Sequence, residues 1–318
     1  MMDSSDKREE NWERKVLERL ALETLAEQRR RRRWGIFFKL LGFAYLSFVI
    51  YLAGDWGSSS DKRADGKGYT ALVSVEGVID AGGEASAERV IASLQGAFAD
   101  RGVRGVVLRV NSPGGSPVQA GMINDEIARL RAQRPELQVA AVVEDMCASG
   151  GYYVAVAADR IYVDKASLVG SIGVLMDSFG FVGSMEKLGV ERRLLSAGGN
   201  KGFLDPFSPQ RADHLSHAQG LLGDIHQQFI AVVRKGRGER LKDVPELFSG
   251  LVWTGERSIE LGLADDYGTV ESVARDVFKA EEVRDFTRKR NLAERFAERF
   301  GANVAESMAA ALTRVTLR

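Results

Sequence analysis

The sequence predicts an α/β domain with a mostly parallel sheet and crossover helices, carried behind one N-terminal membrane helix. Three observations lead there. From Tyr69 onward, short β-branched apolar runs alternate with stretches of helical periodicity, the pattern of strands joined by crossover helices. Glycine-rich turns follow three of the strand runs. Ahead of them, residues 35–53 carry a single charge, Lys39, and about 20 predominantly apolar residues span a bilayer's hydrocarbon core.

Taken in order, residues 1–34 form a charged segment of both signs. Trp12, Val16 and Leu20, and Leu17, Ala21 and Leu25, recur at i, i+4 spacing, which predicts a short solvated helix. In the 35–53 anchor, Lys39 lies near one end, where a lysine can snorkel to the interface. Arg29 to Arg33 abut its N-terminal side. That cationic bias places the N-terminus in the cytoplasm and everything after Asp55 outside, as in a single-pass membrane protein. A cleaved signal peptide fits less well, because its charged leader would exceed 30 residues and no small-x-small site closes the run. Residues 54–68 are a polar, glycine-containing linker.

Within the main domain, 69–283, the strand expectations are Ala71–Val78, Val103–Val110, Gln138–Val143, Arg160–Val163, Gly173–Leu175 and Val190–Leu195. Val90, Ile91, Leu94 and Phe98 mark a helix, and 121–132 reads as another. A long helix over 209–235 places Leu215, Leu222, Ile225, Phe229 and Val232 on one face, with Ser208 as its N-cap and Pro209 at its first position. Residues 284–318 read as a basic amphipathic helix, with Leu292, Phe296, Phe300, Val304, Met308 and Leu312 at i+4 steps. No internal repeat is visible, so one catalytic core is expected.

The chain has 318 residues and no net charge, which argues against a nucleic-acid partner. One cysteine, Cys147, excludes an internal disulfide and a multi-cysteine zinc site. It sits two residues before Ser149, so a nucleophilic thiol competes with its reading as a small core filler. Nothing resembles a P-loop or an HExxH motif, and no cofactor or metal is expected.

The chemistry concentrates at Ala148-Ser149-Gly150-Gly151-Tyr152-Tyr153. A serine needs a group to accept its proton, and all three histidines, His214, His217 and His226, fall in one later segment, with His214 and His217 read as a solvated patch. Lys201, in Gly198-Gly199-Asn200-Lys201, is the better candidate base. A lysine accepts a proton only when neutral, which burial favours. The turn Asn111-Ser112-Pro113-Gly114-Gly115-Ser116 can aim backbone N–H groups at a developing anion, with the amide of Gly150 as a second donor. Ser171, in Gly170-Ser171-Ile172-Gly173, can hydrogen-bond the lysine. The residues therefore read as a Ser–Lys hydrolase.

Those three turns, together with Lys201 ahead of Asp205-Pro206-Phe207-Ser208-Pro209 and the stretch from Val252-Trp253-Thr254-Gly255 to Leu261-Gly262-Leu263-Ala264-Asp265, strongly resemble peptidase family S49 over about residues 70 to 280. The resemblance implies a Clp/crotonase-like fold. It also implies a nucleophile at Ser149, a general base at Lys201, an orienting hydroxyl at Ser171 and oxyanion donors at Gly115 and Gly150. Whether Gly114 or Gly115 donates stays open at this level. Peptide substrates are implied, either remnant signal peptides and other hydrophobic membrane-associated peptides or a specific membrane-protein partner. So is a ring-like homo-oligomer whose serine and lysine meet across subunits. A Ser–His–Asp protease, a crotonase-type acyl-CoA enzyme and a non-catalytic membrane scaffold are the alternatives from other classes.

Overall fold

The computed structural model describes residues 27–48 and 68–289, which fall in two units of the chain. In the first unit, residues 27–48 form one exposed helix, α1. It carries Arg29 to Arg33 and a cluster of rings, Trp34 against Phe37 and Phe38. Residues 35–48 of the expected anchor are thus helical, while 49–53 lie outside the described residues. Among the described residues no helix is long and apolar enough to cross a membrane. The expected helix over residues 1–34 lies outside the description up to residue 26, as does 290–318 of the expected C-terminal helix.

In the second unit, β1 (Tyr69–Glu76), β2 (Val103–Ser112) and β3 (Gln138–Ala148) pair in parallel, joined by α2 (Ala87–Ala99) and α3 (Pro117–Gln133). β1 and much of β2 are buried residue after residue, as expected of parallel strands covered on both faces. α3 begins four residues before the expected helix because Ser116 caps it, accepting the Gln119 N–H, with Pro117 in the first turn. β3 is long enough to serve two partners. Ala140–Val142 pair with β4 (Arg160–Val163), and Met146–Ala148 pair with β5 (Leu168–Gly170).

Beyond Ala148 the chain forms α4 (Gly150–Ala155), and its residues join α2 and α3 in the main core with Leu94, Ile123 and Ile127. β6 (Val252–Thr254) runs antiparallel to β5, followed by α7 (Gly255–Glu260). β7 (Asp266–Tyr267) pairs with β4. A single turn, α8 (Val270–Ser272), continues as a π turn over Val273–Val277 and covers the other sheet face with Phe278.

Four expectations change. Gly173–Leu175 and Val190–Leu195 form no strand. Among the described residues no strand edge pairs with them, and a strand exists only by its ladder. From residue 174 on they lie in an arm, residues 174–211, whose one helix, α5 (Val182–Leu188), buries no side chain. The long helix, α6 (Ala212–Arg237), starts after Arg211 rather than at Pro209. Ser208 does not cap it, because its hydroxyl donates to Asp205 Oδ2 at 2.7 Å and its N–H to the Asp205 carbonyl. Finally, Arg284 and Asp285 belong to β8 (Val283–Asp285), which adds to the edge of β1, not to a C-terminal helix. Thr287 and Arg288 continue the attachment through bonds to the Ser74 N–H and the Ser93 hydroxyl.

Candidate active site

Ser149 stands between the end of β3 and the first residue of α4, with φ 51° and ψ −120°. A positive φ on a residue with a Cβ costs about 1–3 kcal/mol and persists only where its surroundings enforce it. Here the enforcement is visible on both sides. The Ser149 N–H donates to the Gly170 carbonyl at 2.8 Å, extending the β3–β5 ladder, and its carbonyl accepts the Tyr153 N–H at 2.9 Å. α4 is itself pinned by fully buried Tyr152, whose hydroxyl donates to the Leu263 carbonyl at 2.8 Å. Burial pushes that phenol's pKa well up, so it stays a neutral donor. The Ser149 hydroxyl caps no helix N–H. The sharp turn projects it out of the sheet, as nucleophile elbows do.

The Asn111–Ser116 turn packs directly on this elbow. Gly114 has φ 100°, and a Cβ there would stand 2.6 Å from the Gly150 nitrogen and 2.7 Å from the Ser149 Cβ. Only glycine allows so close an approach. Ser112 decides which amide is free. Its hydroxyl donates to the Gly77 carbonyl at 2.6 Å and accepts the Gly114 N–H at 3.1 Å. The Gly115 N–H has no such partner among the described residues. Ile79 grips the turn from outside, donating to the Gly114 carbonyl and accepting the Ser116 N–H, both at 2.8 Å. Gly150 is the first residue of α4, so its N–H lacks an intrahelical acceptor. A Cβ on Gly150 would lie 3.2 Å from the Gly115 nitrogen, which makes the two donors neighbours beside the serine. Two unspent amides at a nucleophile can stabilise an oxyanion.

Ser171 follows the carbonyl that holds Ser149. It also has φ 51°, and its N–H donates to the Leu251 carbonyl at 2.8 Å. The structure therefore gathers Ser149, Gly115, Gly150 and Ser171 at one end of the sheet. Lys201 is not bonded to them. It is exposed on a turn of the arm, and its ammonium makes no hydrogen bond or ion pair among the described residues. Water therefore reaches its side chain freely there.

The competing groups are placed too. Cys147 is fully buried, and burial pushes its thiol pKa up, the reverse of what a nucleophilic thiolate needs. His226 Nε2 pairs with the Ile172 carbonyl at 3.1 Å. His214 is not part of a solvated patch. It is 6% exposed, with Nε2 3.2 Å from Asn200 Oδ1. Ser112, which selects the donor amide, was present in the Asn-Ser-Pro-Gly-Gly motif without its role being readable. Ile79 carried no sequence signal at all.

Residues 131–284 match the model of peptidase family S49, a span that contains Ser149, Gly150, Ser171 and Lys201 and leaves out Gly115. Over 185 residues the chain is 45% identical to a protein of Brucella melitensis named Na(+)/H(+) antiporter NhaA, covering 58% of this chain and 25% of that one. It is 29% identical to a candidate signal peptide peptidase SppA of Enterococcus faecium, covering 68% of this chain and 64% of that one. It is 32% identical to protease 4 of Haemophilus influenzae, covering 67% of this chain and 34% of that one. The chain spans less than two thirds of each of these relatives' own length.

Proposed function

The chain belongs to peptidase family S49, and from that premise we propose that it is a membrane-anchored serine endopeptidase whose dyad is Ser149 and Lys201. The observation that carries the proposal is the elbow at Ser149, an uncommitted hydroxyl held in a strained turn beside the unspent amides of Gly115 and Gly150. In the proposed cycle neutral Lys201 takes the Ser149 proton as the oxygen attacks a peptide carbonyl. The amides of Gly115 and Gly150 hold the oxyanion. The lysine returns the proton to the leaving amine as the C–N bond breaks. Water, deprotonated by the same lysine, then releases the acid from the acyl-enzyme. Ser171 orients the lysine.

The base comes from a neighbouring copy of the chain in a ring-like homo-oligomer. Two findings support this. Lys201 has no partner and no cover among the described residues, and the arm that bears it exposes Leu175, Phe179, Leu188 and Leu195. Burial of that arm against a second copy would remove water from the lysine and bring it to Ser149. Residues 35–53, with the arginines before them, anchor the chain in a bacterial inner membrane with the N-terminus in the cytoplasm and the catalytic domain outside. The substrates are remnant signal peptides or other hydrophobic membrane-associated peptides, which such an anchor brings to the site.

Subunit mixing is the test. Ser149→Ala and Lys201→Ala proteins, each inactive, are exchanged with one another and assayed on a synthetic signal peptide with product masses read out. A cross-subunit dyad regenerates activity. Continued inactivity after demonstrated exchange rejects the shared site, and a fully active Lys201→Ala protein rejects the dyad.

A further inference from the structure

The turn that carries Lys201 is held almost everywhere except at the lysine itself. Arg211 Nη1 donates to the Gly199 carbonyl at 3.0 Å, and His214 Nε2 meets Asn200 Oδ1 at 3.2 Å. The Phe203 ring lies 5.2 Å from the His214 ring and 5.6 Å from that of His217. Local bonds from the Lys201 N–H to the Gly198 carbonyl and from the Phe203 N–H to the Asn200 carbonyl close the turn. Of these contacts, His214 makes the two that flank the lysine on either side, at Asn200 and at Phe203. It is the one titratable side chain of this region that is buried, in the first turn of a 26-residue helix. That helix is fixed at its far end by buried Arg237, so its first turns are a firm base for the turn they carry. Beneath the turn lies a cavity of about 210 Å³ with His214 in its wall.

We infer that His214 is a positioning residue for Lys201: its Nε2–H donates to Asn200 Oδ1 while its ring supports Phe203, and together these fix the backbone from which the lysine projects. The inference rests on the reading of Lys201 as the general base. Without the imidazole, the existing cavity grows and Asn200 loses its donor, so the turn gains room to move. A dyad depends on geometry, and a displacement of about 1 Å in a catalytic group can cost up to about a hundredfold in rate. The loss falls on kcat, because His214 touches the base-bearing turn and not the elbow or its amides.

The experiment uses the full chain in detergent, with a synthetic signal peptide for kinetics and hydrogen exchange over residues 198–205 for order. His214→Ala is expected to lower kcat about ten- to a hundredfold, with KM nearly unchanged and faster exchange in that window. His214→Gln, whose side-chain amide can donate to Asn200 Oδ1, is expected to recover most of both. Asn200→Ala should reproduce His214→Ala, and the double variant should be little worse than either, as for residues acting through one contact. Native exchange and native kcat in His214→Ala overturn the inference. So does a His214→Gln protein as impaired as His214→Ala, or a rise in KM with kcat intact. Lys201→Ala separates the two readings. Lost activity with unchanged exchange upholds the base and leaves the His214 variants to decide positioning, whereas retained activity overturns the base and the catalytic role of His214 with it.

Discussion

Residues 138–172 and residues 174–211 each carry one half of the proposed dyad, and they are built in opposite ways. Around Ser149 the chain is laddered between neighbours. β3 pairs with β2, β4 and β5, Cys147 and Ile172 are wholly buried, and the elbow is bonded on both sides. Around Lys201 the chain holds mainly to itself. Phe181 stacks on Phe207 at 5.2 Å, Arg192 pairs with Asp205 at 3.0 Å, and Ser208 bonds the same carboxylate. Phe179 is 78% and Leu195 96% exposed. Under the proposed assembly these exposed apolar side chains are the surface a second copy would cover. The serine half is held on both sides by the described residues, and the lysine half is shaped but left uncovered by them.

The sharpest way to break this contrast is to remove each half. Ser149→Ala and Lys201→Ala should each reduce kcat/KM by about 10⁴-fold or more, and the double variant should be little worse than either, since the members of a catalytic unit are not additive. A Lys201→Ala loss of only a few fold, measured by single-turnover cleavage, would mean the arm is not half of the site.

The elbow's packing is tested next by Gly114→Ala. The added methyl would meet the Gly150 nitrogen at 2.6 Å on a backbone of φ 100°, so the turn must shift and carry the Gly115 amide with it. Loss of an oxyanion donor costs about 100- to 1,000-fold in kcat, and that is the expected drop, with KM less affected. Steady-state kinetics near wild type would show that this turn does not set the donors.

A third test asks whether the firm half extends beyond the sheet. Arg237 is 1% exposed and forks onto Asp265 at 2.7 and 3.0 Å, while Asp265 also accepts the Ile161 N–H at 2.7 Å. Removing one partner of a buried pair costs about 3–5 kcal/mol, so Arg237→Ala should lower the unfolding free energy by that order in denaturant titration. Burial by itself would raise the Asp265 pKa, but the bonds and charge of Arg237, joined by the Ile161 N–H and the charge of Arg240, outweigh it and hold it below the ordinary 3.8. A depressed folded pKa means this stabilisation is complete above about pH 4 and fades as pH falls through the folded value. In Arg237→Ala that acid-limb slope should flatten. An unchanged slope would assign the acid sensitivity to other carboxylates.

The smallest effect on stability, and the most informative about the arm, is expected from Phe179→Ser with Leu195→Ser. Exposed substitutions usually move stability by no more than about 0.5 kcal/mol, so thermal unfolding should barely change. Sedimentation should nonetheless show a smaller assembly, and activity should fall with it. Assembly of native size would remove the arm from the interface.

The sequence by itself determined the pieces that depend on neighbours along the chain. The parallel strands read at 71–78, 103–110 and 138–143 were legible to within a few residues, the first ending at Glu76, as were the glycine turns after the second and third and the family resemblance, because apolar period and glycine placement are local signals. What depends on distant partners was decided only by the tertiary structure. Val190–Leu195, expected as a strand, has no edge to pair with among the described residues, Ser208 gave its hydroxyl to Asp205 instead of to a helix, and Arg284–Asp285 found the edge of β1. The choice of Gly115 over Gly114 as the free donor was likewise beyond a motif that offers both glycines equally. It rests on Ser112 occupying the Gly114 N–H, and a hydrogen bond between two residues of one turn can be assigned only when the turn's shape is known.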